Sequence, residues 1–221
     1  MDEPSLQNCL AYAVLDDHEA WLGIPSPSCL VSFLDGAATR ANLVGRPVPM
    51  WRVHGPLEED GFYLPLVART GHPTLTIKWA TALEIHHFSL AEAMRELKEL
   101  VKTWVERHGF ETANQVVHGY GEPQAGLVEH LKDVARRPAL YLGQNSGWAL
   151  RCYLAGMDRG GDWLGLPPLA GLRAIVDGIE DQSTRAYGSR FAAYRVYEEW
   201  PSRILAWVGI EPREEELVRT H

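Results

Sequence analysis

The feature that most constrains how this chain folds is an internal repeat at an offset of 120 residues. The segment beginning at Trp21, WLGIPSPSCLVSFLDGAATRANLVGRP, aligns without a gap on the one beginning at Tyr141, YLGQNSGWALRCYLAGMDRGGDWLGLP. Eight of the 27 positions are identical: Leu22/Leu142, Gly23/Gly143, Ser26/Ser146, Leu30/Leu150, Leu34/Leu154, Gly36/Gly156, Gly45/Gly165 and Pro47/Pro167. Chance at ordinary composition gives about two. The matches fall where the backbone makes demands. In each copy a Gly ends an apolar step, and a Ser three residues later is a candidate helix N-cap. A further Gly ten residues on (Gly36 or Gly156) is expected to close that helix in the left-handed conformation. Leu30, Phe33 and Leu34 in one copy and Leu150, Tyr153 and Leu154 in the other supply matching apolar faces.

The similarity resumes at an offset of 103, where Phe88, Leu90, Met94, Leu97, Val101, Trp104 and Val105 align with Phe191, Ala193, Tyr197, Trp200, Ile204, Trp207 and Val208. The helix this predicts in the first copy is well signalled, with Ser89 and Glu92 as a capping box and Gly109 as a stop. In the second copy Pro201 is expected to kink the equivalent helix. The first copy holds 17 extra residues between its matched blocks. Trp51-Arg52-Val53, Phe62 to Arg69 and Thr74 to Trp79 are rich in β-branched and aromatic residues, the composition of strands. The expected fold is therefore a predominantly helical α+β protein of two tandem diverged repeats related by a pseudo-twofold. The repeats are residues 1–112 and 125–221 with a linker at 113–124, and the first carries a short antiparallel β-meander at about 49–79.

Charge narrows the partners. The chain carries 21 Lys+Arg against 29 Asp+Glu, a formal −8, with −5 in residues 1–110 and −3 in 111–221. No basic run exceeds Arg136-Arg137, so phosphate neutralisation, and with it nucleic-acid binding, is not expected. No apolar stretch approaches the roughly 20 residues that span a bilayer, and Met1-Asp2-Glu3-Pro4 is acidic where a signal peptide is basic. A cytoplasmic protein without a membrane partner is expected. Cys9, Cys29 and Cys152 are odd in number and form no CxxC, which argues against both a disulfide framework and a thiolate metal site.

The sharpest short string is Arg136-Arg137-Pro138-Ala139-Leu140-Tyr141-Leu142-Gly143. It is similar to the RPGMYIG string of the DNA gyrase B subunit ATPase domain, but the Asn helix motif, the Asp-x-Gly-x-Gly contact and the Gly-rich lid of such ATPases do not follow it. The string, the helix after it and the aromatic helix containing Trp207 resemble RPxxYLG-type, immunity-protein-like domains of bacterial polymorphic toxin systems, over residues 137–156 and 191–207. That resemblance implies a bacterial, non-enzymatic protein that neutralises a partner such as a toxin, and it implies no catalytic residues. The first copy has Asp17-His18-Glu19-Ala20-Trp21-Leu22-Gly23 in place of the string.

Enzymatic signals are sparse. His54, His72, His86 and His87 share the inserted region, and converging imidazoles would suit a transition metal, yet adjacent His86 and His87 in a strand would face opposite ways. Neither metal nor cofactor is therefore expected. Glu84, between Leu83 and Ile85, is the one carboxylate with apolar neighbours; with His86 and His87 it would form the catalytic set if the chain were an enzyme. There is no Gly-x-Ser-x-Gly or P-loop. Of the eight tryptophans, Trp104, Trp200 and Trp207 are expected in the core, while Trp51, Trp79, Trp148 and Trp163, the last in a Gly-rich loop, are candidate anchors of an interface, with Tyr141 and Arg137 beside them. The sequence thus leads to a protein-binding chain whose partner has a basic surface. The competing reading is a small-molecule enzyme or accessory protein of secondary metabolism with a pocket between the repeats. Oligomeric state stays open.

Overall fold

The computed structural model describes residues 5–46, 48–58, 61–62, 65, 79–110, 126–142, 146–169, 171–185 and 204. The described residues are helical with no strand among them: α1 (Leu10–Asp16), α2 (His18–Leu22), α3 (Pro27–Leu43), α4 (Met50–Val53), α5 (Trp79–His86), α6 (Leu90–His108), α7 (Leu127–Arg136), α8 (Pro138–Leu142), α9 (Gly147–Ala155) and α10 (Leu172–Arg185). Contacts divide the chain into two compact units. Unit one holds Met1–Leu34 and Val48–Val117, and unit two holds Asp35–Pro47 and His118–His221, so the two halves of α3 belong to different units.

The β-meander does not form where the structure describes it, and the α+β expectation is corrected to a mostly helical fold with no strand among the described residues. Trp51-Arg52-Val53 lies in α4, Phe62 is helical, and Trp79 opens α5 instead of closing a strand. β-propensity measures fit to a pleated, half-buried surface, and helical packing overrides it here. Val53 and Phe62 are buried, and Phe62 meets Trp79 edge-on at 6.3 Å. The buried residues Trp79, Ala80 and Leu83 follow helical spacing. The rest of the expected strands, the linker at 113–124, and the 191–208 helix apart from the buried Ile204 lie outside the described residues.

In unit one α6 is the spine. Ser89 caps it by accepting a hydrogen bond from the Glu92 amide at 3.2 Å, and Gly109, at φ 68°, ends it. Its buried face, Ala93, Met94, Leu97 and Val101, packs against α1, α5 and the turn Gly55–Glu58. In unit two α9 and α10 form the main helix pair, and α7 buries Leu127, Leu131, Val134 and Ala135 at i, i+4, i+7 and i+8.

Local structure recurs at the offset of 120. Residues Asp17 (φ −135°, ψ 62°) and Arg137 (φ −137°, ψ 54°) make the same break between a longer and a five-residue helix. Ser26 and Ser146 each accept from the amide three residues on, at 3.2 and 3.4 Å. Each long helical run then ends in a Schellman motif: the amides of Gly45 and Arg46 reach Asn42 and Ala41 carbonyls, and those of Gly165 and Leu166 reach Asp162 and Gly161. Gly45 (φ 62°) and Gly165 (φ 73°) carry the left-handed residue.

The expected stop at Gly36 and Gly156 is therefore wrong. Helix α3 runs through Gly36, and Gly156 is right-handed and begins a π-helical turn, Gly156–Gly160, that continues α9 into a last turn at Gly161–Trp163. Trp163 thus belongs to a helix and not to a loop. Gly36 is needed for space: a Cβ there would lie 2.0 Å from the Tyr153 carbonyl oxygen. Gly→Ala inside a helix usually stabilises by about 1 kcal/mol. Here the obstacle is backbone, so Gly36→Ala is expected to lower stability by roughly 1–3 kcal/mol in urea unfolding, and an unchanged or raised midpoint would contradict this close approach.

Candidate functional site

Two groupings of polar and aromatic side chains stand out, one in each unit. In unit one the end of α5 is fixed to the start of α3. The Glu84 carboxylate accepts from the Ser26 hydroxyl at 2.7 Å, the Ser28 amide at 2.9 Å and the Ser28 hydroxyl at 2.8 Å. A carboxylate at a helix N-terminus satisfies free N–H groups and the helix dipole together, so Glu84 serves as a cap from outside the helix. His87 pairs with Glu96 of α6, and the His86 ring stands edge-on to it at 5.2 Å. His54 is buried after α4, and His72 lies outside the described residues. Among the described residues no three His, Cys, Asp or Glu side chains converge as metal ligands. His86 is the last residue of α5 and His87 follows it, so the opposite-faces argument drawn from a strand does not apply to them.

Between Ile85 and Phe88 this corner exposes apolar surface. Ile85 is 54% exposed and Phe88 107%, while Thr81, His86 and Ser89 around them are also exposed.

The grouping in unit two forms around Tyr141, which the sequence had selected, and His130, Tyr153 and Thr39, which it had not. His130 Nε2 and the Tyr153 hydroxyl are hydrogen-bonded at 2.8 Å, and the His130 ring meets Tyr141 edge-on at 5.1 Å. Tyr153 is buried, and burial drives its pKa far up, with Asp35 and Tyr141 adding to the rise while a Thr39 hydrogen bond opposes it. Burial pushes the His130 pKa down against the pull of Asp133. Phenol and imidazole therefore both stay neutral near pH 7. The hydrogen bond thus joins two neutral groups, each largely withdrawn from water. Its only sequence signal is the hydroxyl at Tyr153 where the matched position is Phe33.

Below it the π-helical turn holds Asp158, a buried carboxylate that accepts from Arg173 Nε at 3.1 Å. Arg40, 1% exposed, reaches the Pro167 carbonyl at 3.5 Å; burial lowers its pKa and the charge of Asp158 opposes that. A buried guanidinium needs a nearby anion, and Asp158 supplies it.

The expected anchors are dispersed. Trp51 is half-buried against Phe110 at 6.4 Å, Trp79 is 6% exposed core, and both belong to unit one. Trp148 and Trp163 are half-buried in unit two, Tyr141 is half-buried, and Arg137 is exposed. Trp104, expected in the core, is half-buried and lies 4.9 Å from His108. All three cysteines are buried and outside any disulfide, with Cys9 pushed up to about 11 by burial. Among the described residues no helix is long and apolar enough to cross a membrane. Compared with known protein families, curated proteins and solved structures, the chain matches none.

Because the folded state lowers the His130 pKa below its usual 6.5, the unfolded chain takes up the proton first. The stability tied to neutral His130 is whole above about pH 6.5 and is lost as pH falls below it. His130→Gln keeps hydrogen-bonding capacity and removes the titration. Between pH 7.5 and pH 5 the melting temperature is expected to fall less in this variant than in the wild type. Equal falls would show that His130 does not titrate with folding.

Proposed function

We propose that this chain is a non-enzymatic cytoplasmic protein of bacterial origin that binds and neutralises a partner protein with a basic surface, in the manner of the immunity proteins its RPALYLG string resembles. The observation that carries the reading is where the negative charge sits. Unit one has 14 Asp+Glu against 7 Lys+Arg, a net −7, and unit two has 15 against 14, a net −1. The first 39 residues contain six acids and no Lys or Arg.

At the break between α1 and α2, folding does not impose this sign. Asp16 and Asp17 occupy the positions that Arg136 and Arg137 occupy in unit two, on nearly the same backbone. All four side chains are exposed. Folding asks of Asp17 only a long 3.3 Å cap to the Ala20 amide, and of Asp16 a surface pair with Lys98 of the kind that contributes under about 1 kcal/mol. A turn that accepts either sign is free to be set by recognition, and an acidic face steers a basic partner.

The test is a co-expression and titration experiment. The product of the gene adjacent to this one is expected to arrest growth alone and to be relieved by the chain. The purified pair is expected to bind with a Kd that weakens roughly tenfold or more between about 0.05 and 0.5 M NaCl, since exposed charges are screened over that range. A Kd indifferent to salt, or a neighbour that is neither toxic nor bound, would contradict the proposal.

A further inference from the structure

The corner between α5 and α6 leaves two large apolar side chains in water while locking the residues around them. Glu84 is held by Ser26 and Ser28, His87 is paired with Glu96, and Ser89 is engaged as the α6 cap. Between these fixed points Ile85 and Phe88 remain exposed. Phe88 immediately precedes the cap, the position from which an apolar side chain ordinarily folds over the fourth helical residue as a hydrophobic staple. That residue is Ala93, which is fully buried by other neighbours, and Phe88, at 107% exposure, does not cover it. Among the described residues of unit one the ring thus adds nothing to the packing. An aromatic side chain displayed on a rigid frame is the form that interface hot spots take, because little ordering remains to be done on binding.

We infer that Phe88, with Ile85, is the anchor by which unit one enters an apolar pocket on its partner protein, and that Lys and Arg rim that pocket. The rim follows from the charge of the unit, a net −7, in which this corner carries Glu84, Glu92 and Glu96 with Arg95 and then Lys98 along α6. This inference rests on the partner-binding reading and adds to it the site and the chemistry of its counterpart.

The experiment uses the full chain and the recombinant product of the adjacent gene as the probe, with affinity read by calorimetry. Phe88→Ser is expected to weaken binding at least roughly tenfold, a loss typical of a hot spot. Its melting temperature is expected to stay at that of the wild type, because the ring is already in water. Leu140→Ser, at an exposed leucine of unit two, is the control and is expected to bind as the wild type does. Wild-type affinity in Phe88→Ser would overturn the anchor while leaving the partner-binding reading intact. Equal losses in Phe88→Ser and Leu140→Ser would overturn it as well. Failure of the wild-type chain to bind the probe would count against the reading itself, and the anchor would fall with it.

Discussion

Unit one depends on how the buried start of α3 finds partners for its free amides. The first turn of any helix has four N–H groups without intrahelical acceptors, and burying them unpaired is costly. Ser26 supplies one acceptor from within the chain, but the Ser28 amide is met by Glu84, 56 residues away. The same carboxylate takes both serine hydroxyls, so one side chain ties α5 to α3 at three points. The orientation of α5 then sets where the corner Ile85 to Phe88 faces, and His87 with Glu96 holds the far side of that corner to α6. A helix cap has become the support of a surface feature.

Unit two uses the same local grammar for another purpose. Its turn, serine cap and Schellman ending recur 120 residues after those of α2 and α3, yet Arg136-Arg137 stands in place of Asp16-Asp17. Its long helical run widens to π spacing around Asp158, and the caps at 146 and 165 keep the register of those at 26 and 45. The π turn is therefore not a simple insertion. It accompanies the burial of Asp158 beside Arg40, and π turns of this kind gather where a helix must place a particular side chain.

Local features were legible in the sequence, and long-range ones were not. Ser26, Ser89, Ser146 and Gly109 act through residues three or four positions away, so their roles follow from spacing alone. Gly36 was visible as a required glycine, but its reason, the Tyr153 carbonyl, is 117 positions distant, and a left-handed stop was the natural mistake. Trp51, Val53, Phe62 and Trp79 have strand composition because they belong near a core, and composition does not reveal whether a pleat or a helix does the burying. Glu84 was picked out by its apolar neighbours, whereas its pairing with Ser26 and Ser28, 58 and 56 positions away, was not legible. Exposure of Phe88 could not be inferred, since a residue before a capping box is ordinarily stapled down.

The proposed recognition places the partner on the acidic unit and not on its basic-turned counterpart. Hydrogen–deuterium exchange of the full chain, alone and saturated with the adjacent gene product, distinguishes the two. Partner binding at unit one is expected to slow exchange at the α1–α2 break around Asp17 and at the corner from Ile85 to Glu92, and to leave α9 unchanged. Protection confined to unit two, around Arg137 to Leu142, would contradict it.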